Sequence, residues 1–439
     1  MDVTAVAVLG FAIFVWGVLS ARLERADLTA PVAFLALGAA VAGLGFTDTE
    51  TVPAELRTLA ELTLVWVLFT DAAGVRVHDL RADAGRIARL LAVGLPLSVL
   101  AGWGLALWLL PALGVWLALL VGAALAPTDA ALGLPVVTNP AVPSRIRRLI
   151  TVESGLNDGI VTPIVMLAIA GVAAAEAHSG SWLRDAAVEL ALGVAVGVGV
   201  GYLGGLLLRV ARRAGWVDEE FAGISVLALA LVAYAAALVV HGNGFVAAFC
   251  GGLAFGGAAG RRGRAELLFM RQAGGLASLL VWFAFGVVAV TAALRGAGPM
   301  TLVYAALSLT VVRMVPVALS LVGARLRWRT VLFVGWFGPR GLASLVFALI
   351  ALDELGGVAR DAAAVIAATV LCSVLAHGLT AEPLAARYGR AEAADGPPDG
   401  PPDGPPDGPP DGPPDASRPG HSPASSDVEE DGAGVEGTR

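Results

Sequence analysis

The chain has 439 residues, 57% of them hydrophobic and only 15% charged, with a mean hydropathy of +0.78. That is more apolar sequence than a soluble core of this size can bury, which excludes an ordinary globular enzyme and points to an all-α polytopic membrane protein. The formal net charge of −7 does not mark a nucleic-acid binder, and most of the excess acid lies in a tail after Arg390.

In chain order, the first apolar stretch runs from Val3 to Leu19. It lacks a basic leader and a small-residue cleavage site, so it is expected to be a retained helix rather than a signal peptide. Runs long enough to span a hydrocarbon core of ~30 Å then fall near 30–46, 57–74, 87–109, 113–135, 147–173, 183–208, 221–240, 244–259, 267–292, 301–323, 331–351 and 362–383, about thirteen segments with the first. The chain contains no lysine, so arginine alone reports orientation. Arginines crowd alternate loops, from Arg22 and Arg25 through Arg145, Arg147 and Arg148 to Arg387 and Arg390, and only Arg57, Arg184, Arg295 and Arg360 lie on the other side. The alternation predicts a multi-pass protein of the cytoplasmic (inner) membrane, with the N-terminus outside and the C-terminus in the cytoplasm. Cys250 and Cys372 sit far apart in apolar runs and read as small buried hydrophobes.

Two segments are interrupted near their middles. Ala126-Pro-Thr-Asp-Ala130 breaks segment 5, and Gly335-Trp-Phe-Gly-Pro-Arg-Gly341 breaks segment 12. If segment 7 links two six-helix halves, these are the fifth members of each half, with opposed orientations. Interruptions at matched positions predict two inverted repeats whose broken helices cross at the midplane and build a site there. Unwound backbone is tolerable at that depth only inside protein or beside a water-filled cavity.

Segment 6 opens on Glu153-Ser-Gly-Leu-Asn-Asp158. Carboxylates in a span cost about 2.5–3.5 kcal/mol each on insertion scales, so they are expected to be used. Ser154 and Asp158 are four apart and share a helix face, offering oxygens to a small hard cation. Glu153 and Asn157 share the neighbouring face. Asp71, at the end of segment 3, reads equally as a funnel residue or an interfacial carboxylate. Arg313 in segment 11 and Arg340 in the segment 12 break are permanent cations that need a buried partner, and Glu153 is the candidate for either. His241 and His377, near helix ends, read as satisfied interfacial histidines.

At these residues the sequence resembles the first monovalent cation:proton antiporter family, which includes prokaryotic sodium/proton antiporters and the eukaryotic sodium/hydrogen exchangers. The resemblance covers roughly residues 3–390. It rests chiefly on Glu153-Ser-Gly-Leu-Asn-Asp158 and Ala126-Pro-Thr-Asp129, with support from the break around Arg340, Gly244-Phe-Val-Ala-Ala and His377-Gly-Leu-Thr-Ala-Glu-Pro-Leu384. It implies that Asp158 binds cation and proton alternately, that Asp129, Thr128 and Ser154 with Asn157 are neighbouring ligands, and that Asp71 stands where the family often has an acidic residue. It also implies a structural ion pair of Glu153 with Arg313 or Arg340, and homodimers with a mobile core.

The expected activity is exchange of Na⁺, and by extension Li⁺, for H⁺ by alternating access at Asp158, with no cofactor beyond the transported ions. Desolvation favours a neutral carboxylate, so proton and cation compete for one site. Asn157 stands where electrogenic relatives carry a second aspartate, which predicts electroneutral exchange. K⁺/H⁺ exchange is the alternative. A cation channel is a further reading, and an intramembrane enzyme has no motif to support it, neither His-Glu-x-x-His nor Gly-x-Ser-x-Gly. The transport domain is read as residues 1–390. Residues 391–439, with five Asp-Gly-Pro-Pro repeats from Asp395 to Pro414, read as a disordered cytoplasmic tail, and no soluble regulatory domain is evident.

Overall fold

The computed structural model describes residues 3–24, 28–44, 54–75, 77–129, 131–177, 181–260, 264–296 and 298–394, so the Asp-Gly-Pro-Pro tail lies outside the described residues. By packing, the chain divides after Ala391; of the second unit only the last turn of the final helix is described. The described residues form helices and turns, with no strand among them.

The helices are α1 (Val3–Glu24), α2 (Ala30–Gly43), α3 (Ala54–Gly74), α4 (Val77–Arg89), α5 (Leu95–Leu109), α6 (Gly114–Ala124), α7 (Leu134–Val137), α8 (Ser144–Ala177), α9 (Trp182–Arg213), α10 (Glu219–Val239), α11 (Gly244–Ala258), α12 (Arg264–Gly296), α13 (Pro299–Leu309), α14 (Val311–Ser320), α15 (Trp328–Trp336), α16 (Leu342–Leu355) and α17 (Arg360–Ala394). Each expected apolar segment contains helix. Seven described stretches are by themselves long and apolar enough to cross a membrane. The segment 5 helix falls short because it is interrupted, whereas Ala7–Leu23, Ala30–Gly43 and Gly244–Ala258 are unbroken apolar helices of 10–17 residues.

The interruptions have local causes. Segment 5 stops as α6 at Ala124, and its helix resumes only at Leu134. Segment 12 stops as α15 at Trp336 and resumes as α16 at Leu342, across Gly338-Pro339. Two further breaks were not expected from the sequence. Between α4 and α5 the chain widens into a π turn, Leu90–Gly94, where Pro96 removes a donor and crowds the carbonyl one turn back. Segment 11 bends at Thr310 (φ −106°, ψ −83°), just before Arg313. Caps set other boundaries: Asp218 accepts from the Glu220 amide at 2.9 Å, and Asn243 accepts from that of Val246 at 3.1 Å.

The helices pack as two groups. α2, α3 and α9 to α12 lie against one another, and α4 to α6, α8, α13, α14 and α15 form the second set. α3, α8 and α16 make the contacts that join them. In the first group α9 approaches α11 through a ridge of glycines: Cβ atoms at Gly193, Gly197, Gly201 and Gly205 would run into the backbone or Cβ of Asn243, Ala247, Gly251 and the Ala258–Ala259 turn. Four-residue spacing keeps all four glycines on one face, so the two backbones meet in van der Waals contact. Gly38 of α2 and Gly286 of α12 make a similar crossing.

Candidate functional site

Where the two groups meet, the broken segments face one another and each supplies what the other lacks. Helix ends leave amides and carbonyls unsatisfied, positive at the N-terminus and negative at the C-terminus. The Asp129 carboxylate lies over the start of α16, its Oδ2 accepting from the Leu342 amide at 3.1 Å and its Oδ1 from the Ala131 amide at 2.7 Å. Conversely, the guanidinium of Arg340, 0% exposed, donates to the carbonyls of Ala126 and Pro127 just beyond α6, the latter at 3.1 Å. It also reaches the Ser308 carbonyl at 3.5 Å. The Asp129 amide closes the arrangement on the Pro339 carbonyl at 2.8 Å. Gly341 must be glycine, because a Cβ there would occupy the position of the Asp129 carboxylate.

α8 brings the Glu153-to-Asp158 motif against this crossing. Ser154 Oγ donates to the Thr128 carbonyl at 2.6 Å, and Asn157 Nδ2 donates to Thr128 Oγ1 at 2.8 Å. Glu153, 3% exposed, takes both arms of Arg313, at 2.6 and 3.0 Å. This decides between the two arginines: Arg340 is not the partner of Glu153, because its guanidinium faces backbone carbonyls of the other break. A two-pronged pair is the geometry in which a buried guanidinium and carboxylate best offset their desolvation.

Asp158 is treated differently. It lies one helical turn beyond Ser154, half-buried, and its carboxylate has no hydrogen-bond donor or ion-pair partner among the described residues. Its electrostatic neighbours are the carboxylates of Asp129 and Asp71. Asp71, near the end of α3, packs beside Gly155, where an added methyl would stand 3.6 Å from its Cβ. Its side chain is exposed to solvent. Asn157 Oδ1 is buried with no donor. A carboxylate without a donor and, one residue before it, a buried amide oxygen without a donor are each groups that a cation or a proton can satisfy. Among the described residues no three His, Cys, Asp or Glu side chains converge at metal-binding range.

The structure thus brings together Asp158, Asp129, Thr128, Ser154, Asn157 and Asp71, with Glu153, Arg313 and Arg340 directly behind them. His377 is 1% exposed and has polar partners at both ring nitrogens, a satisfied histidine as expected, and His241 sits on the surface with φ +58°. Sequence reasoning missed Asp83. It is buried at a kink in α4 and is shared by Arg86 at 2.8 Å and Arg145 at 2.6 Å, with Arg148 at 3.9 Å. The available signal was a lone acid set among arginines in a basic loop.

Interrupted helices held together by each other's charged residues, with a bare carboxylate at their crossing, define a polytopic membrane protein of the transporter class. The transmembrane sodium/hydrogen exchanger profile matches residues 9–387, and the chain belongs to that family. It is 26% identical over 322 residues to a probable Na⁺/H⁺ antiporter of Schizosaccharomyces pombe, covering 68% of this chain and 41% of that protein. It is 25% identical over 344 residues to the K⁺/H⁺ antiporter NhaP2 of Shewanella oneidensis, covering 75% of this chain and 58% of that one. The chain therefore spans about half the length of these curated relatives. The fold is that of the sodium proton antiporter MjNhaP1 from Methanocaldococcus jannaschii, with a TM-score of 0.68 at 21% identity, covering 88% of this chain and 99% of that one.

Proposed function

We propose that this protein exchanges Na⁺, or Li⁺, for H⁺ across the cytoplasmic membrane, electroneutrally, by alternating access at Asp158. One observation carries the reading. Three acidic side chains meet at the crossing of the broken segments and α8: Glu153 is neutralised by Arg313, Asp129 is held by backbone amides, and Asp158 is held by nothing. A site that crosses the barrier only when a proton or a cation neutralises Asp158 couples the two fluxes one for one. Thr128, Ser154 and Asn157 are the neutral oxygens that complete a cation shell, and Asp71 lines the approach. Glu153 and Arg313 fix α8 against α14, while Arg340 and Asp129 hold the two breaks together.

The same proposal includes thirteen spans in two inverted repeats, a transport domain of residues 1–390, an external N-terminus, a cytoplasmic C-terminus and a homodimer. Arginine placement and matched breaks support the first four; the family supports the last. K⁺/H⁺ exchange is the second reading, favoured by the name of the Shewanella relative. Dequenching of a pH dye in everted vesicles, scanned over Na⁺, Li⁺ and K⁺, separates the two. Na⁺ and Li⁺ collapse the proton gradient in the first reading and K⁺ does so in the second. Cation flux without any proton coupling would indicate a channel and overturn both.

A further inference from the structure

In an unbroken helix the amide of Arg340 would donate to the carbonyl of Trp336, four residues back. Across the segment 12 break that bond is replaced by side chains of α17. The Arg340 amide donates to Ser373 Oγ at 2.7 Å, and the Trp336 carbonyl, which also accepts from the Gly338 amide at 2.8 Å, lies 2.9 Å from His377 Nε2. Ser373 Oγ is 3.1 Å from His377 Nδ1. With Nε2 carrying the proton the break is bridged: the Arg340 N–H donates to the serine oxygen, the serine hydroxyl donates to Nδ1, and Nε2–H donates to the Trp336 carbonyl, while the Ser373 carbonyl, 2.9 Å from Nδ1, receives no proton in this tautomer. A serine and a histidine are thereby inserted, in series, into a single helical hydrogen bond.

We propose that Ser373 and His377 are positioning residues for the ion site, which hold the segment 12 break open and keep Arg340 and the start of α16 directed at the segment 5 break. Ser373, His377 and Thr380 lie at i, i+4 and i+7 on one face of α17, so one stiff helix grips the whole end of α15. Thr380 Oγ1 accepts from the Trp336 indole at 3.0 Å, and the imidazole lies over that indole with ring centres 5.2 Å apart. Ser373 is 0% and His377 1% exposed, so water does not replace either one. The break they hold carries the contacts that shape the site: Arg340 on the Ala126 and Pro127 carbonyls, the Pro339 carbonyl on the Asp129 amide, and the Leu342 amide on the Asp129 carboxylate. Without the relay, the 336-to-340 turn, which Pro339 keeps from closing into helix, loses its anchor on α17 and those groups can shift away from α8.

This inference rests on the exchange reading above, and its test has two arms. Full-length protein in detergent is followed by hydrogen exchange at the amides of residues 337–342, and the same variants are titrated with Na⁺ in everted vesicles. His377→Ala should speed amide exchange in that stretch and raise the apparent cation KM by about tenfold, the effect of losing roughly one buried hydrogen bond. His377→Gln, whose amide can donate to the Trp336 carbonyl and accept from Ser373, should restore both readings. Ser373→Ala, a smaller change, should reproduce the alanine phenotype if His377→Ala fails to fold. Unchanged amide exchange in the alanine variants, or a glutamine variant no better than alanine, would overturn the proposal. Wild-type protein without cation-coupled proton flux would defeat the exchange reading instead, and the amide arm would still decide the relay.

Discussion

Two regions of this molecule bring backbones close together by opposite means. Between α9 and α11 the helices are unbroken and the side chains are missing: Gly193, Gly197, Gly201 and Gly205 leave a bare ridge that lies directly on the partner backbone. At the crossing of segments 5 and 12 the side chains are present and the helices are missing. Asp129 and Arg340 take over the amides and carbonyls that the helices have given up. The first solution leaves no polar group exposed and no room for an ion. The second creates charged, hydrogen-bonding ends at membrane depth, which only protein or a wet cavity can satisfy, and it is there that the free carboxylate lies. Rigidity and chemistry are thus kept in different helix pairs.

The sharpest way to break the contrast is to remove the charge that steadies the broken side. Glu153→Gln leaves Arg313 as a buried, unpaired cation, and a loss of about 3–5 kcal/mol is expected. Lower yield and a lower melting temperature in detergent would record it; a variant as stable as wild type would mean that the pair carries no structural load. On the packed side, Gly201→Leu drives a side chain into the Gly251 backbone of α11. Overpacking of this kind costs about 1–3 kcal/mol, a smaller loss than the first. The expected signature is reduced stability with the apparent cation KM of the surviving protein unchanged, because this pair takes no part in the site. A changed KM at normal stability would mean the two regions are coupled. The smallest effect is expected from truncation after Arg390, which removes a tail that has almost nothing apolar to bury. Maximal exchange and its pH midpoint in proteoliposomes should match the full chain; a midpoint displaced by about a unit, equal to about 1.4 kcal/mol, would make the tail a regulator.

Much of this was legible in the sequence because membrane constraints are strict. Long apolar runs in a membrane are expected to be helices, and each expected run contains helix. The breaks at Ala126-Pro-Thr-Asp129 and Gly338-Pro-Arg-Gly341 were visible because proline and charge are costly in a span. The site acids were visible for the same reason. What stayed hidden depended on three-dimensional pairing. Nothing in one dimension separates Arg313 from Arg340 as the partner of Glu153, since both are buried cations; the choice follows from which helix end each one faces. His377 was read as a satisfied histidine, but its partners were hidden, because Trp336 and Ser373 have ordinary spacing and acquire meaning only when a helical hydrogen bond is missing. The π turn before Pro96 and the bend at Thr310 lie within smoothly apolar runs, where hydropathy carries no mark of either.

The central claim is that Asp158, the acid of its motif that no arginine neutralises, alternates between proton and cation. The most direct measurement compares wild type with Asp158→Asn in everted vesicles, using a pH-sensitive dye and pulses of Na⁺, Li⁺ and K⁺. Asparagine keeps the size of the side chain and removes the charge, so yield and melting temperature should stay at wild-type values while cation-driven dissipation of the proton gradient disappears for every ion. Coupled exchange persisting above about a tenth of the wild-type rate, a barrier change of only about 1.4 kcal/mol, would contradict the assignment and move the site to Asp129 or Asp71.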